Sequence, residues 1–231
     1  MPNTNDNRGL LAESLSWTFP GSEKPFFDIA SLKVPEGKVA VLSGPSGSGK
    51  STLLFLLSTL ETPSSGKVFW QGTELTALSS AQKDRWRREH LGMIFQDFEL
   101  VPELTALENV LLPETFSHAG IDKGRRKAAG ELLSSLGIVD VSEPSRNLSR
   151  GEMQRVAFAR AVFRSPDLIL ADEPTASLDR ENEEIIAGLL LKEAWEKGRT
   201  LIAATHQQYM KERADLVFYL ERGHIERVEE R

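Results

Sequence analysis

Gly44-Pro45-Ser46-Gly47-Ser48-Gly49-Lys50-Ser51-Thr52 decides the reading of this chain. The stretch fits the pattern glycine, any four residues, glycine, lysine, then serine or threonine. With glycine at about 7% of residues, a chain of this length meets that pattern by chance about 1% of the time. The flanks argue against chance. Lys38-Val39-Ala40-Val41-Leu42-Ser43 is an apolar run that predicts a buried strand, and Leu53 to Leu57 opens a core helix. Strand, glycine loop and helix is the context in which such a loop cradles phosphate.

The residue types suit a polyphosphate. Glycines let the backbone curl so that successive N–H groups point inward. A helix N-terminus adds unsatisfied N–H groups and the positive end of its dipole. Lys50 supplies a mobile charge for β- and γ-phosphates, and Ser51 offers a hydroxyl oxygen to Mg²⁺. The whole loop, Gly44, Pro45, Ser46, Gly47, Ser48, Gly49, Lys50, Ser51 and Thr52, is therefore the expected nucleotide-binding set.

Composition bounds the rest. The 231 residues suit one large domain, or a domain with a subdomain. With 40% hydrophobic residues, the chain can bury a sizeable core. There is no cysteine, which excludes disulfides and thiolate metal sites. The net charge of −6 argues against a nucleic-acid coat. The basic clusters Arg85 to Arg88 and Lys123 to Lys127 lie in helical polar patterns and read as solvated faces. No apolar run approaches the ~18 residues of a membrane span. Residues 1–9 are expected to form a disordered tail without the apolar region of a secretory signal.

Taken in order, Leu10–Trp17 and Phe26–Val34 predict two strands around a Pro/Gly turn cluster. A short strand, Lys67–Trp70, follows the first helix. Ser79–Glu89 predicts a helix, and Gly92–Phe95 a buried strand ending at Gln96. Residues 97–165 then turn helical, with helices at Thr105–Leu112, at Asp122–Leu136 and from Asn147–Arg150 to about Arg164. Strand pattern returns at Leu168–Ala171, followed by a helix at Arg180–Lys197 and a strand at Thr200–Ala204. A terminal hairpin joins Asp215–Leu220 to Ile225–Val228. The expected fold class is α/β: a phosphate-loop NTPase core over 10–231, with an N-terminal antiparallel β region and a helical subdomain inserted at about 97–165.

Asp172-Glu173 follows the apolar run Leu168–Ala171, at the strand end where α/β folds bind ligands. Asp172 suits a hold on Mg²⁺, direct or through water. Glu173 suits orienting or deprotonating an attacking water.

Leu148-Ser149-Arg150-Gly151-Glu152, with Gln154 and Arg155, resembles the LSGGQ signature of ATP-binding cassette ATPases. With Gln96, Ser177-Leu178-Asp179 and His206, the resemblance spans residues 10 to about 228. Gly92–Pro113 and Ala171–Asp179 look like the lipoprotein-releasing and macrolide-efflux subgroup. Arg150 stands where the family has glycine; Gly151 is retained. The resemblance implies ATP and Mg²⁺ as cofactors, with Ser51, Gln96 and Asp172 toward the metal. It implies Glu173, His206 and Gln96 in catalysis and Phe19 stacked on adenine, with Trp17 competing for that place. Ser149 and Gly151 would cover the ATP of a second copy, since a serine and glycine at a helix N-terminus form an anion site that one chain cannot close on its own loop.

The implied partners are integral-membrane transporter subunits and a second copy in an ATP-dependent homodimer, with no nucleic acid. The implied place is cytoplasmic, peripheral on the inner face of the membrane. The implied work is export or extraction of a lipidic, peptidic or drug-like substrate. A regulatory ATPase that drives cell-envelope remodelling through a membrane partner fits the same residues. A small-molecule phosphotransferase would need neither Leu148–Gly151 nor Ser177–Asp179. A soluble cassette acting on nucleic acid or ribosomes usually carries two cassettes or long coiled-coil arms, which this sequence lacks.

Overall fold

The computed structural model describes residues 8–116, 120–176 and 178–231. Most of the expected tail lies outside them; Gly9, taken as its last residue, instead opens the first strand.

Two sheets face each other across the first helix. The smaller is antiparallel, in the order β2-β1-β4-β5, from β1 (Gly9–Trp17), β2 (Phe27–Pro35), β4 (Ser65–Trp70) and β5 (Thr73–Glu74). The larger runs β10-β9-β3-β8-β7-β6, from β3 (Val39–Ser43), β6 (Leu91–Ile94), β7 (Leu168–Asp172), β8 (Thr200–Ala204), β9 (Leu216–Glu221) and β10 (His224–Glu230). Strands β6, β7, β8, β3 and β9 are parallel neighbours; only β10 runs antiparallel.

Their unbroken apolar sequences follow from burial on both faces. Ala40, Leu42, Leu168 and Leu170 face the smaller sheet and helix α1 (Lys50–Leu57). Val39, Val41, Ile169 and Ala171 face the opposite layer, helices α5 (Arg150–Val162) and α6 (Arg180–Lys197). Helix α1 is apolar on nearly every side because sheets cover it from two directions; Leu53, Leu54, Leu56 and Leu57 are all buried.

Between β6 and β7 the chain makes α3 (Ala106–Thr115), α4 (Lys123–Ser135), a 3₁₀ turn at Ser145–Asn147, and α5. These share a separate core of Ala106, Val110, Leu111, Ala129, Leu133, Val156 and Ala159. Helix α5 belongs to both cores, so it ties the helical segment to the sheet.

Some elements depart from the sequence expectation. Helix α1 begins at Lys50, so the end of the phosphate loop is already helical. Helix α3 runs through Pro113 to Thr115, past the expected end at Leu112. Proline costs a bond only in the last turn there, and Glu114 holds that turn through ion pairs with Arg125 and Arg164. The three-residue 3₁₀ turn delays α5 to Arg150. Strand β5 and the short helix α7 (Gln208–Arg213) carry too few residues for a periodic signal. Helix α2 (Ser80–His90) starts behind Ser79, which forms a capping box with Gln82.

Candidate active site

Parallel strands put their carboxyl ends on one edge of a sheet, and this edge builds the site. The register is level: Leu42 and Asp172 both pair with Ala204, and Ala171 pairs with Ile94. Four segments therefore emerge side by side, at strand spacings of about 4.8 Å. They are the phosphate loop from β3, Thr205-His206 from β8, Glu173 from β7, and Phe95-Gln96 from β6.

A cleft of about 440 Å³ opens there. Phe19, Ser46, Gly47, Gly49, Lys50, Ser51, Thr52, Gln96, Glu173 and His206 line it, with Phe26 and Ala176. Gly49 needs to be glycine: its φ is +98°, and a Cβ there would sit 2.5 Å from the Phe27 ring and 2.6 Å from the Phe26 ring. Gly44, Pro45 and Ser48 are absent from the lining. The carbonyls of Gly44 and Pro45 instead accept from Lys50 Nζ at 3.0 and 3.3 Å, and Ser48 is buried.

Lys50 is only 7% exposed. Its Nζ lies 3.2 Å from His206 Nε2 and 3.7 Å from Glu173 Oε1. His206 Nε2 is also 3.3 Å from Glu173 Oε1. A neutral ring offers Nε2 either as acceptor to Lys50 or as donor to Glu173, never both. The histidine is 54% exposed, so it can turn toward a ligand in the cleft. Glu173 sits in the left-handed region, with φ 40°, and its N–H donates to Ala204 O at 2.8 Å. Backbone strain of this kind gathers at functional sites.

Asp172 accepts a hydrogen bond from Ser51 Oγ at 3.0 Å and is 4% exposed. Burial raises its carboxyl pKa, with Ser51 and Lys50 opposing. Among the described residues no group of three or more His, Cys, Asp or Glu could hold a metal. Ser51 and Asp172, with Gln96 on the cleft wall, form a hard-oxygen set that fits Mg²⁺ if phosphate and water supply the remaining ligands.

The folded protein binds the Asp172 proton more tightly than the unfolded chain does. Its contribution therefore turns against the fold as pH rises from the ordinary carboxylate range through the raised value. Asp172→Asn is expected to stabilise the nucleotide-free protein by about 1 kcal/mol. At neutral pH that raises the melting temperature by roughly 2–4 °C. A lower melting temperature would show that the Ser51 hydrogen bond outweighs desolvation.

Phe19 stands at the mouth, 47% exposed. Trp17, its rival, is 8% exposed and meets Phe19 edge-on at 4.6 Å. Phe26, which the sequence reading passed over, meets Phe19 at 5.1 Å. Its place beside Phe27 at a strand start gave only a packing signal.

Ser149 and Gly151 lie at the N-terminus of α5 and are not part of the cleft lining. Ser149 Oγ accepts from the Glu152 N–H at 3.3 Å and donates to Glu152 Oε2 at 2.7 Å. The hydrogen bond from that hydroxyl holds the Glu152 carboxyl below the usual range, so an arriving anion must compete for it. Ser177 lies outside the described residues. Asp179, beside it, caps α6 by accepting from the Asn182 N–H at 2.9 Å.

The family model described as "ABC transporter" matches residues 27–176. An uncharacterized ABC transporter ATP-binding protein of Mycobacterium tuberculosis is 40% identical, covering 92% of this chain and 86% of that one. The lipoprotein-releasing system ATP-binding protein LolD 1 of Caulobacter vibrioides is 40% identical, covering 76% of this chain and 75% of its own. The macrolide export ATP-binding/permease protein MacB of Bartonella henselae is 38% identical over 94% of this chain and 33% of its own length. A solved dimeric ATP-binding cassette of Methanocaldococcus jannaschii, in a post-hydrolysis state bound to ADP and Pi, superposes with a TM-score of 0.88. It shares 36% identity, covering 96% of this chain and 98% of that one.

Proposed function

The chain belongs to the ABC transporter family as an ATP-binding, ATP-hydrolysing subunit, and from that premise we propose that it powers export or extraction of a lipidic, peptidic or drug-like substrate through separate membrane subunits. One observation carries the catalytic part of the reading. A buried lysine, a strained glutamate and a half-exposed histidine converge within 3.2–3.7 Å beside the phosphate loop.

In this reading Lys50 and the N–H groups from Gly47 to Thr52 bind the β- and γ-phosphates. Mg²⁺, held toward Ser51, Gln96 and Asp172, supplies charge neutralisation. Glu173 takes the proton of the attacking water, and His206 turns from Lys50 to the γ-phosphate and fixes that water's direction. Phe19 stacks on adenine. Ser149 and Gly151 reach the ATP of a second copy, so two sites lie between two chains.

The lipoprotein-releasing and macrolide-export relatives support the substrate class. No helix of the described residues is long and apolar enough to cross a membrane. Membership of the family supports assigning the chain to the inner membrane surface, docked on membrane subunits. We assign the docking to Gln96 and the helical region from Thr105 to Leu136, with the loop between them.

Three apolar residues near its start divide between two roles. Leu100 and Leu107 pack on the helical core. Val101 is exposed, on a loop that buried Asn109 ties down through the Val101 N–H (2.8 Å) and carbonyl (3.1 Å). Val101→Glu is expected to detach the membrane subunit during co-purification from membranes. The ATPase rate of the isolated chain should stay within about twofold of wild type, as exposed substitutions rarely disturb a fold. An intact complex would move the docking surface elsewhere.

A further inference from the structure

Arg150 is the central residue of the signature Leu148–Glu152 and takes the first helical position of α5. A cation there opposes the helix dipole, so its placement calls for a compensating contact. The guanidinium carbon lies 5.1 Å from the centroid of the Phe98 ring. Phe98 is nearly buried and lies two residues beyond Gln96. Phe98 and Glu99 both take the left-handed conformation, with φ 64° and 49°. Their carbonyls are pinned from the other end of the same helix: Arg160 donates to Phe98 O at 2.7 Å and to Glu99 O. Helix α5 thus grips the segment after Gln96 twice, by its backbone through Arg160 and by its ring through Arg150.

The signature is fixed on its other side as well. A Cβ on Gly151 would lie 2.6 Å from Asn182 Oδ1. Asn182 is held by Asp179 at 3.0 and 3.1 Å and by Arg155 at 2.8 Å. With Gly151 seated on α6, the Arg150 contact joins the helix end to the segment after Gln96.

We infer that Arg150 is a positioning residue: stacked on Phe98, it makes the Gln96 segment and Ser149–Gly151 move as one unit. It rests on the shared-site reading of the signature. A change at Gln96 in one ATP site then shifts the signature that covers the other. The side chain that departs from glycine is directed to its own chain's loop rather than to phosphate.

The test is a cycle of Arg150→Gly, Phe98→Leu and the double variant in the full chain. Each single variant should lower kcat about threefold to tenfold, the range a partly desolvated cation–π contact supports. ATP affinity of the isolated chain should stay within about twofold, and the double variant should turn over no more slowly than the slower single one. Hydrogen exchange of amides 97–101 in nucleotide-free protein should quicken in Arg150→Gly, a readout that needs neither dimer nor catalysis.

Three results overturn the inference: unchanged exchange in Arg150→Gly, additive losses, or a loss in Arg150→Gly with none in Phe98→Leu. The last would place Arg150 directly on phosphate or partner. If Phe98→Leu does not fold, the exchange result alone decides. Failure of the shared-site reading shows separately, as a wild-type ATPase rate per chain that stays constant on dilution to concentrations at which the chain is monomeric.

Discussion

Glu173→Gln is expected to lower steady-state ATP turnover by at least about 100-fold, roughly 2.7 kcal/mol of barrier, while ATP still binds. Glutamine keeps the shape and one hydrogen-bonding oxygen but cannot accept the proton of the attacking water. The side chain lines the cleft beside His206 and Lys50, and its backbone is held strained at the end of β7. The loss should therefore fall on kcat, with little change in nucleotide affinity. Turnover within threefold of wild type would remove Glu173 from the proton chemistry. Because ATP stays trapped, the variant should also elute as a dimer with ATP and Mg²⁺. A monomer at saturating ATP, up to the highest soluble concentration, would count against a site shared by two free chains.

Lys50→Ala is expected to weaken ATP binding by about 10- to 100-fold, the loss of a hydrogen bond to a charged group at about 1.5–3 kcal/mol. The ammonium is nearly buried, and two loop carbonyls hold it at the phosphate end of the cleft. Alanine leaves those carbonyls facing the ligand, so electrostatic repulsion adds to the lost attraction. Equilibrium titration with a fluorescent ATP analogue measures the change; affinity within threefold of wild type would rule out a direct phosphate contact.

The same variant probes the dimer. Mixed with Ser149→Ala, it forms heterodimers with one intact composite site and one doubly damaged site. Activity of the mixture above the sum of the two parents is the expected result. No recovery, with heterodimers present by native mass spectrometry, would mean that both sites must be intact or that the signature acts within its own chain.

The sequence alone determined the features that are contiguous. The phosphate loop announces itself through nine adjacent residues, Gly44 to Thr52. The strands β3, β7 and β8 were legible because burial on both faces leaves an unbroken apolar run. Ser149 was legible as a helix start because a cap is a local hydrogen bond within three residues. Asp172-Glu173 gained meaning only beside the loop, and Ser149 to Gly151 only through the resemblance.

Tertiary structure decided what depends on residues far apart in the chain. Ser51 meets Asp172 across 121 positions, and Lys50 meets His206 across 156. Those contacts exist because β3, β8, β7 and β6 end level on one edge, a register set by pairing between distant strands. The same cause separated Phe19 at the cleft mouth from Trp17 beneath it, and exposed Val101 from Leu100. It also turned Arg150, an unexplained departure in the sequence, onto Phe98. Local patterns specify which residues can form an element. Which face of that element meets which neighbour is chosen by packing among elements, where each side chain takes the rotamer its distant neighbours leave open.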